Sequence, residues 1–279
     1  MRLRVVLAVF LALTVLAGIG IWLAVNSLSN GLPLSIPREE CVVNATGKTT
    51  LEPEQMANAA TIAAVGIRKG LPDHAVTIAL ATALQESKLR NLQGGDRDSL
   101  GLFQQRPSQD WGNPEQIMDP RYAARRFYEA LTKIRGWQEM TVADAAQAVQ
   151  RSADGSLYAR WEDKARILAI ALTGEVAGAV GCTVTGPPSQ RGSVAISALV
   201  EGVAADWGDG HTVAKTDTVE VLVEDARSGW QYAHWLVSCS AFQGIERVRY
   251  GGQVWTSKDS SWSKASTPAT DRVVAEVFH

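Results

Sequence analysis

Apolar positions fall into three patterns along the chain, and each predicts a different kind of element. From Val5 to Val25 no residue is charged and only Thr14 is plainly polar. At about 1.5 Å per residue this run spans roughly 30 Å, the thickness of a bilayer's hydrocarbon core. Arg2 and Arg4 precede it, and no acid appears before Glu39. The positive-inside rule then places the chain from about residue 28 onward outside the cytoplasm. Residues 1–27 are therefore expected to form a transmembrane signal anchor, with membrane contact through residues 5–25. That makes a single-pass protein of the plasma membrane with an extracytoplasmic C-terminal bulk. A cleaved signal peptide is the alternative, but its apolar core usually runs about 7–15 residues, and no clean A-x-A site follows here.

The second pattern is helical. Residues 28–50 are polar, with Pro33 and Pro37, and read as a stalk. Residues 51–173 repeat apolar residues at helical spacing. Thr50, Pro53 and Glu54 mark the start of one helix, and Gly70 ends it. The next runs from Asp73 to about Leu84 or Glu86. It is apolar almost all round from Ala75 to Leu84, as in a helix buried at a domain centre. Residues 93–113 are rich in Gly, Asp and Gln and read as a structured loop or short hairpin. Asp119-Pro120 opens a helix with Ala123, Phe127, Ala130, Leu131 and Ile134 on one face. Thr141 heads another, and a last helix carries Tyr158, Trp161, Ala165, Leu168 and Leu172.

The third pattern begins after a Gly- and Pro-containing stretch, 174–193, that reads as a linker. Residues 194–279 mix helical signals at 194–207 and 230–242 with β-branched strands near 218–223, 247–250, 253–256 and 272–278. The expected fold class is an N-terminal transmembrane helix, then an all-α domain over 51–173, then a small α+β domain over 194–279.

Composition excludes several functions. Hydrophobic residues make up 46% and charged residues 20%, so the chain is not disordered. Lys and Arg number 27 against 29 Asp and Glu. That balance gives no footprint for nucleic acid. No GxxxxGK[ST], GxGxxG, CxxC or HExxH string is present, so neither a cofactor nor a metal is expected. The histidines lack ligand spacing. Cys41 precedes the helical block and Cys182 comes after it, so a disulfide between them would close a loop of about 140 residues. Cys239 lies in an apolar helical run and reads as a buried thiol. Three reduced cysteines are the alternative.

Candidate chemistry sits at the end of the most apolar helix. Glu86 appears where Ala75–Leu84 runs out. Apolar neighbours and the negative end of a helix dipole both favour a protonated carboxyl there, which suits a general acid. A carboxylate that is merely the first solvated residue is the alternative. The stretch Asp98-Ser99-Leu100-Gly101-Leu102-Phe103-Gln104-Gln105 combines a flexible glycine, two apolar anchors and two amides. It suits a loop that holds a polar, uncharged ligand rich in hydroxyl and acetamido groups. A loop anchored by Leu102 and Phe103 with no ligand is the alternative. Trp111 either stacks on a sugar face or packs at the rim.

Glu86-Ser87, with Gly101-Leu102-Phe103-Gln104 beyond it, resembles the Glu-Ser and Gly-Leu-Met-Gln pair of soluble lytic transglycosylases and goose-type lysozymes. The strings QESKLRN and DSLGLFQQRPSQDWG look like the transglycosylase-like domain of exported, membrane-anchored actinobacterial proteins. The resemblance covers about residues 41–182. It implies a lysozyme-like domain whose partner is the peptidoglycan glycan strand, cleaved at the MurNAc-GlcNAc β-1,4 bond with Glu86 as general acid. Ser87 and Gln104 would orient that acid or the sugar, with Phe103, Gln105 and Trp111 along the glycan. Phe103 stands where Met is usual. The family's Ala-Tyr-Asn motif is missing, and Ala148-Val149-Gln150 is its nearest match, so Gln150 takes that place. Asp96 and Asp98 are the available second carboxylates. One of them near Glu86 would allow hydrolysis, and neither would favour transglycosylation assisted by the substrate's own N-acetyl group. A non-catalytic glycan-binding or scaffold protein is the alternative function. Residues 194–279 resemble an accessory domain distantly like D,D-carboxypeptidase-type metallopeptidases without their metal ligands, which implies a wall- or partner-binding module.

Overall fold

The computed structural model describes residues 17–22, 39–152, 154–266 and 271–279. The chain divides into two units, Met1–Arg38 and Glu39–His279. In the first, residues 17–22 are helical, a length of roughly 9 Å. No helix among the described residues is long and apolar enough to cross a membrane. The transmembrane helix and the single-pass membrane placement are therefore corrected: the described helix is about a third of the span a bilayer needs. The remainder of the expected 5–25 span lies outside the described residues.

The expected all-α domain is corrected too. Glu39–His279 is mixed, with two antiparallel sheets. Strands β1 (Glu40–Asn44), β2 (Lys48–Leu51) and β3 (Val180–Thr183) form the first, in order β2-β1-β3. The stalk segment thus supplies two strands and the linker segment a third. Cys41 and Val43 alternate inward between exposed neighbours, a period-two signal that the surrounding polar residues obscure. Cys41 pairs directly with Cys182 across the ladder, and the two form a disulfide. The bridge closes a loop with a sequence separation of 141. On the chain-entropy model that stabilises by roughly 4–5 kcal/mol.

Between β2 and β3 lie helices α1 (Pro53–Arg68), α2 (Asp73–Ser87), α3 (Pro114–Ile117), α4 (Pro120–Leu131), α5 (Val142–Gln150) and α6 (Glu162–Leu172). Asp119 caps α4 through the Arg121 amide, and Thr141 caps α5 through the Asp144 amide. Residues 155–161, expected within the last helix, are tight 3-10 turns ahead of α6. Every residue of α2 from Ala75 to Leu84 is buried. That all-round apolar surface is covered by α1, α4, α5, α6 and the 155–161 turns.

The C-terminal part continues with α7 (Gly192–Trp207), β4 (Thr212–Ala214), β5 (Thr218–Leu222), α8 (Ala226–Ser238), α9 (Ser240–Gln243), β6 (Ile245–Tyr250), β7 (Gln253–Thr256), β8 (Ser263–Lys264) and β9 (Arg272–Val277). The sheet order is β4-β5-β9-β6-β7-β8, antiparallel throughout. Helix α8 joins this sheet to the helical part, packing on β6 and β9 and also on α1, α6 and β3.

Buried polar groups fasten that joint. Asp206, on α7, is 1% exposed. Its Oδ2 accepts from Thr61 Oγ1 of α1 at 2.9 Å and from Trp235 Nε1 of α8 at 2.6 Å, and its Oδ1 pairs with Arg121 of α4. His234 of α8 is fully buried. Its Nε2 accepts from the Ala179 amide at 2.9 Å, so its Nδ1 carries the proton that Ala171 O receives at 2.7 Å. Cys239, at the end of α8, is a buried free thiol.

Candidate active site

Glu86 occupies the last turn of α2, just past the buried run. The tight turns at 155–161 lie across this end of the helix. The Tyr158 hydroxyl donates to Glu86 Oε1 at 2.6 Å. Gln85 Oε1 accepts from Arg160 Nη2 and Trp161 Nε1, both at 2.8 Å. The Lys88 ammonium stands 4.5 Å from the Trp161 ring centroid. Burial, then the nearby Arg160 charge, lowers the Lys88 pKa, against an opposing pull from Glu86. Burial raises the Tyr158 pKa, and its bond to Glu86 raises it further, so the phenol remains a donor at any physiological pH.

The chain beyond Glu86 is held in an uncommon backbone. Lys88, Leu89, Arg97, Gln104, Asp110 and Arg151 are the non-glycine residues with positive φ among the described residues. Such left-handed positions cost on the order of 1 kcal/mol each and gather at functional sites. Their restraints are specific. Gln55 Nε2 donates to Lys88 O at 2.7 Å, and Asn58 Nδ2 to Leu89 O at 2.8 Å. Leu100 and Gln105 exchange both backbone bonds across the 101–104 turn. Gly101 has φ +74°, and a Cβ there would lie 2.7 Å from the Ile117 carbonyl oxygen, so glycine is required.

The other expected site residues separate by burial. Ser87 is buried, and its hydroxyl binds Leu102 O at 2.7 Å, which pins the 101–104 turn to α2. Phe103 is fully buried and stacks on Phe127, with centroids 4.7 Å apart. Gln105 is 1% exposed and donates to Ala123 O. These three shape the loop and present nothing to a ligand. Gln104 is half-buried, with Nε2 on Gly101 O. Its Oε1 lies so close over Gly95 that any side chain there would displace it. Gln150 Nε2 holds Phe103 O at 2.7 Å. Trp111 is half-buried and lines a groove of about 570 Å3 between α4 and α5 that also includes Gln150. Glu86 is not on the wall of that groove.

Of the two expected second carboxylates, Asp98 is committed to an ion pair and Asp96 is exposed. Asp98 accepts from Arg106 Nε at 2.6 Å and from the Ser108 amide at 2.9 Å. Bonds from Ser108 and then from Arg106 hold its pKa far below the usual carboxylate range. The Asp96 side chain is 93% exposed and lies 3.9 Å from Arg97. Among the described residues no cluster of three or more His, Cys, Asp or Glu could hold a metal. Sequence reading placed Tyr158 and Trp161 on a helix face and missed that they engage Glu86 and its neighbour Gln85. With Tyr158 and Glu86 72 positions apart in sequence, no local spacing could show the pair. No protein-family model and no curated protein sequence matches this chain.

Proposed function

We propose that the chain cleaves the glycan strand of peptidoglycan, with Glu86 as general acid. One observation carries the chemistry. The Tyr158 hydroxyl fixes Glu86 Oε1, while no described residue engages Oε2. A protonated Oε2 is then free to give its proton to a glycosidic oxygen as the C1–O bond breaks. The choice of a β-1,4 MurNAc-GlcNAc bond rests on the likeness of Glu86-Ser87 and Gly101-Leu102-Phe103-Gln104 to lytic transglycosylase motifs.

The commitment of Asp98 to Arg106 and Ser108 and the exposure of Asp96 favour assistance by the substrate's own N-acetyl oxygen. The sugar's own hydroxyl then closes the ring while Glu86 Oε2 takes back a proton, giving an anhydro sugar. The Cys41–Cys182 disulfide suits an oxidising compartment, where such a wall polymer is found.

The test is to incubate purified peptidoglycan with the chain and with a Glu86→Gln copy, then read soluble products by mass spectrometry. Muropeptides lighter by one water are expected from the parent. The variant should release them about 10²–10⁴-fold more slowly. Equal release by both proteins would remove Glu86 from the chemistry. Release from neither, with both pelleting on the wall, would make this a binding protein.

A further inference from the structure

We propose that the groove between α4 and α5 binds a carboxylate-bearing peptide, the stem attached to the glycan, through Lys133 and Arg151. The proposal rests on the peptidoglycan reading and extends it to a second part of the substrate.

The groove's cations are of two kinds. Arg126 is committed to the fold. Its Nη2 donates to Asp110 O at 3.0 Å, its Nη1 to Glu129 at 3.2 Å and its Nε to Trp111 O at 3.4 Å. It holds the Trp111 wall in place and has little left for a ligand. Lys133 and Arg151 also line the groove. Both are exposed, and neither side chain has a hydrogen-bond or ion-pair partner among the described residues. They approach from the two sides of the groove, Lys133 just after α4 and Arg151 just after α5.

Arg151 is also one of the few non-glycine residues with positive φ, at 52°. A residue ending a helix in this conformation is usually glycine or asparagine. Arg151 holds this conformation with its amide donating to Gln147 O at 2.8 Å, at a cost on the order of 1 kcal/mol.

The groove is joined to Glu86 through the chain itself. Gln150, on its wall, holds the Phe103 carbonyl of the 101–104 turn. Ser152, one residue past Arg151, is bound back onto α5: its hydroxyl donates to Gln147 Oε1 at 2.7 Å, and Gln147 Nε2 donates to Ser152 O at 2.8 Å. A ligand in the groove therefore touches the end of α5, whose Gln150 braces the turn that Ser87 pins to α2 next to Glu86. Sugar rings of the glycan offer hydroxyl and acetamido groups, and its negative charge resides on the peptide carboxylates. Glu129 on the same wall is paired with Arg126, so Lys133 and Arg151 outnumber the one remaining lining carboxylate, Asp110, and this excess of positive charge matches the peptide better than the sugars.

The experiment is calorimetric titration of the full chain and a Lys133→Gln/Arg151→Gln variant. Three probes are used: a muropeptide with free stem carboxylates, the same muropeptide with those carboxylates amidated, and uncharged chitotetraose. The variant should bind the free-acid muropeptide about tenfold more weakly than the parent. Amidating the ligand should weaken the parent by a similar factor and leave the variant unchanged. Chitotetraose should not distinguish the two proteins. Equal affinity of parent and variant for the free-acid muropeptide would overturn the proposal. So would an equal loss towards chitotetraose, or no binding of the free-acid form by the parent. These outcomes are independent of Glu86: unaltered glycan release by Glu86→Gln would sink the catalytic reading while the difference between free-acid and amidated ligand stayed measurable.

Discussion

Glu86 and His234 each sit on a helix that is central to its part of the molecule, and they are used in opposite ways. Glu86 has one oxygen fixed by Tyr158 and the other without a protein partner among the described residues. His234 has both ring nitrogens engaged by backbone, one at Ala171 and one at Ala179. Around Glu86 the chain adopts left-handed turns at Lys88, Leu89 and Gln104. Around His234 aromatic rings close in, with Trp230 at 5.3 Å and Trp262 at 6.5 Å. A titratable group whose hydrogen-bonding capacity is exhausted inside the protein fastens structure. A group with capacity left over is one that a ligand can still engage, and the chemistry proposed above uses Glu86 in that way.

The comparison predicts opposite effects of substitution at the two places. Glu86→Gln should cost about 10²–10⁴ in rate and leave thermal stability nearly unchanged, because Gln keeps an acceptor for Tyr158. Asp206→Ala, at the same joint as His234, should do the reverse. It leaves Trp235 Nε1 and Thr61 Oγ1 without their acceptor in the interior and Arg121 without its counterion. A loss of about 3 kcal/mol in denaturant unfolding is expected, reduced from a fully buried pair because Arg121 is partly exposed. Rate per folded molecule should persist. A stable Asp206→Ala protein would show that the joint is not fastened there.

Acid provides the next test of the joint. Burial depresses the His234 pKa from its ordinary 6.5 to about 4, against a smaller opposing contribution from the Ala171 bond. The unfolded chain then binds more protons than the native one between these values. The stabilisation is present in full above about pH 6.5. It is lost progressively as pH falls towards 4, by on the order of 3 kcal/mol. A protonated Nε2 would also face the Ala179 N–H donor. Urea midpoints measured from pH 7 to pH 4 should fall in the parent, and a His234→Gln protein, weaker at pH 7, should show a flatter profile. Identical slopes would assign the acid sensitivity to other groups.

Much of the helical part was legible in the sequence because its signals are local. The apolar run Ala75–Leu84 announced a central helix, and Asp119-Pro120 and Thr141 marked helix starts that the caps reproduce. The strands of the first sheet were not legible. Each is four or five residues long, set in polar or glycine-containing surroundings, and β3 joins β1 from the far end of the helical block. Only the disulfide hinted at that closure. At the candidate site, Glu86 is legible as the carboxylate that ends the apolar helix, whereas motif position, and for Gln105 also its amide, points Ser87, Phe103 and Gln105 towards the ligand. Burial shows them to be the scaffold of the turn. Tyr158 was hidden because the phenol that orients Glu86 is also a residue that packs well, and periodicity sees only the packing.

Tyr158 therefore offers the finest test of the contrast, since it belongs to both categories. Tyr158→Phe keeps the buried ring and removes only the hydroxyl. If that hydroxyl merely satisfied a buried group, the change would lower stability by about 1 kcal/mol and leave catalysis alone. If it positions Glu86 Oε1 so that Oε2 faces the glycan, the effect should appear in kcat. A fall of about tenfold is expected, equivalent to the loss of one well-made hydrogen bond in the transition state. KM should stay within about twofold, because the phenol has no direct role in holding the sugar. A change confined to KM, or to stability, would return Tyr158 to the core and leave Glu86 without its positioning residue.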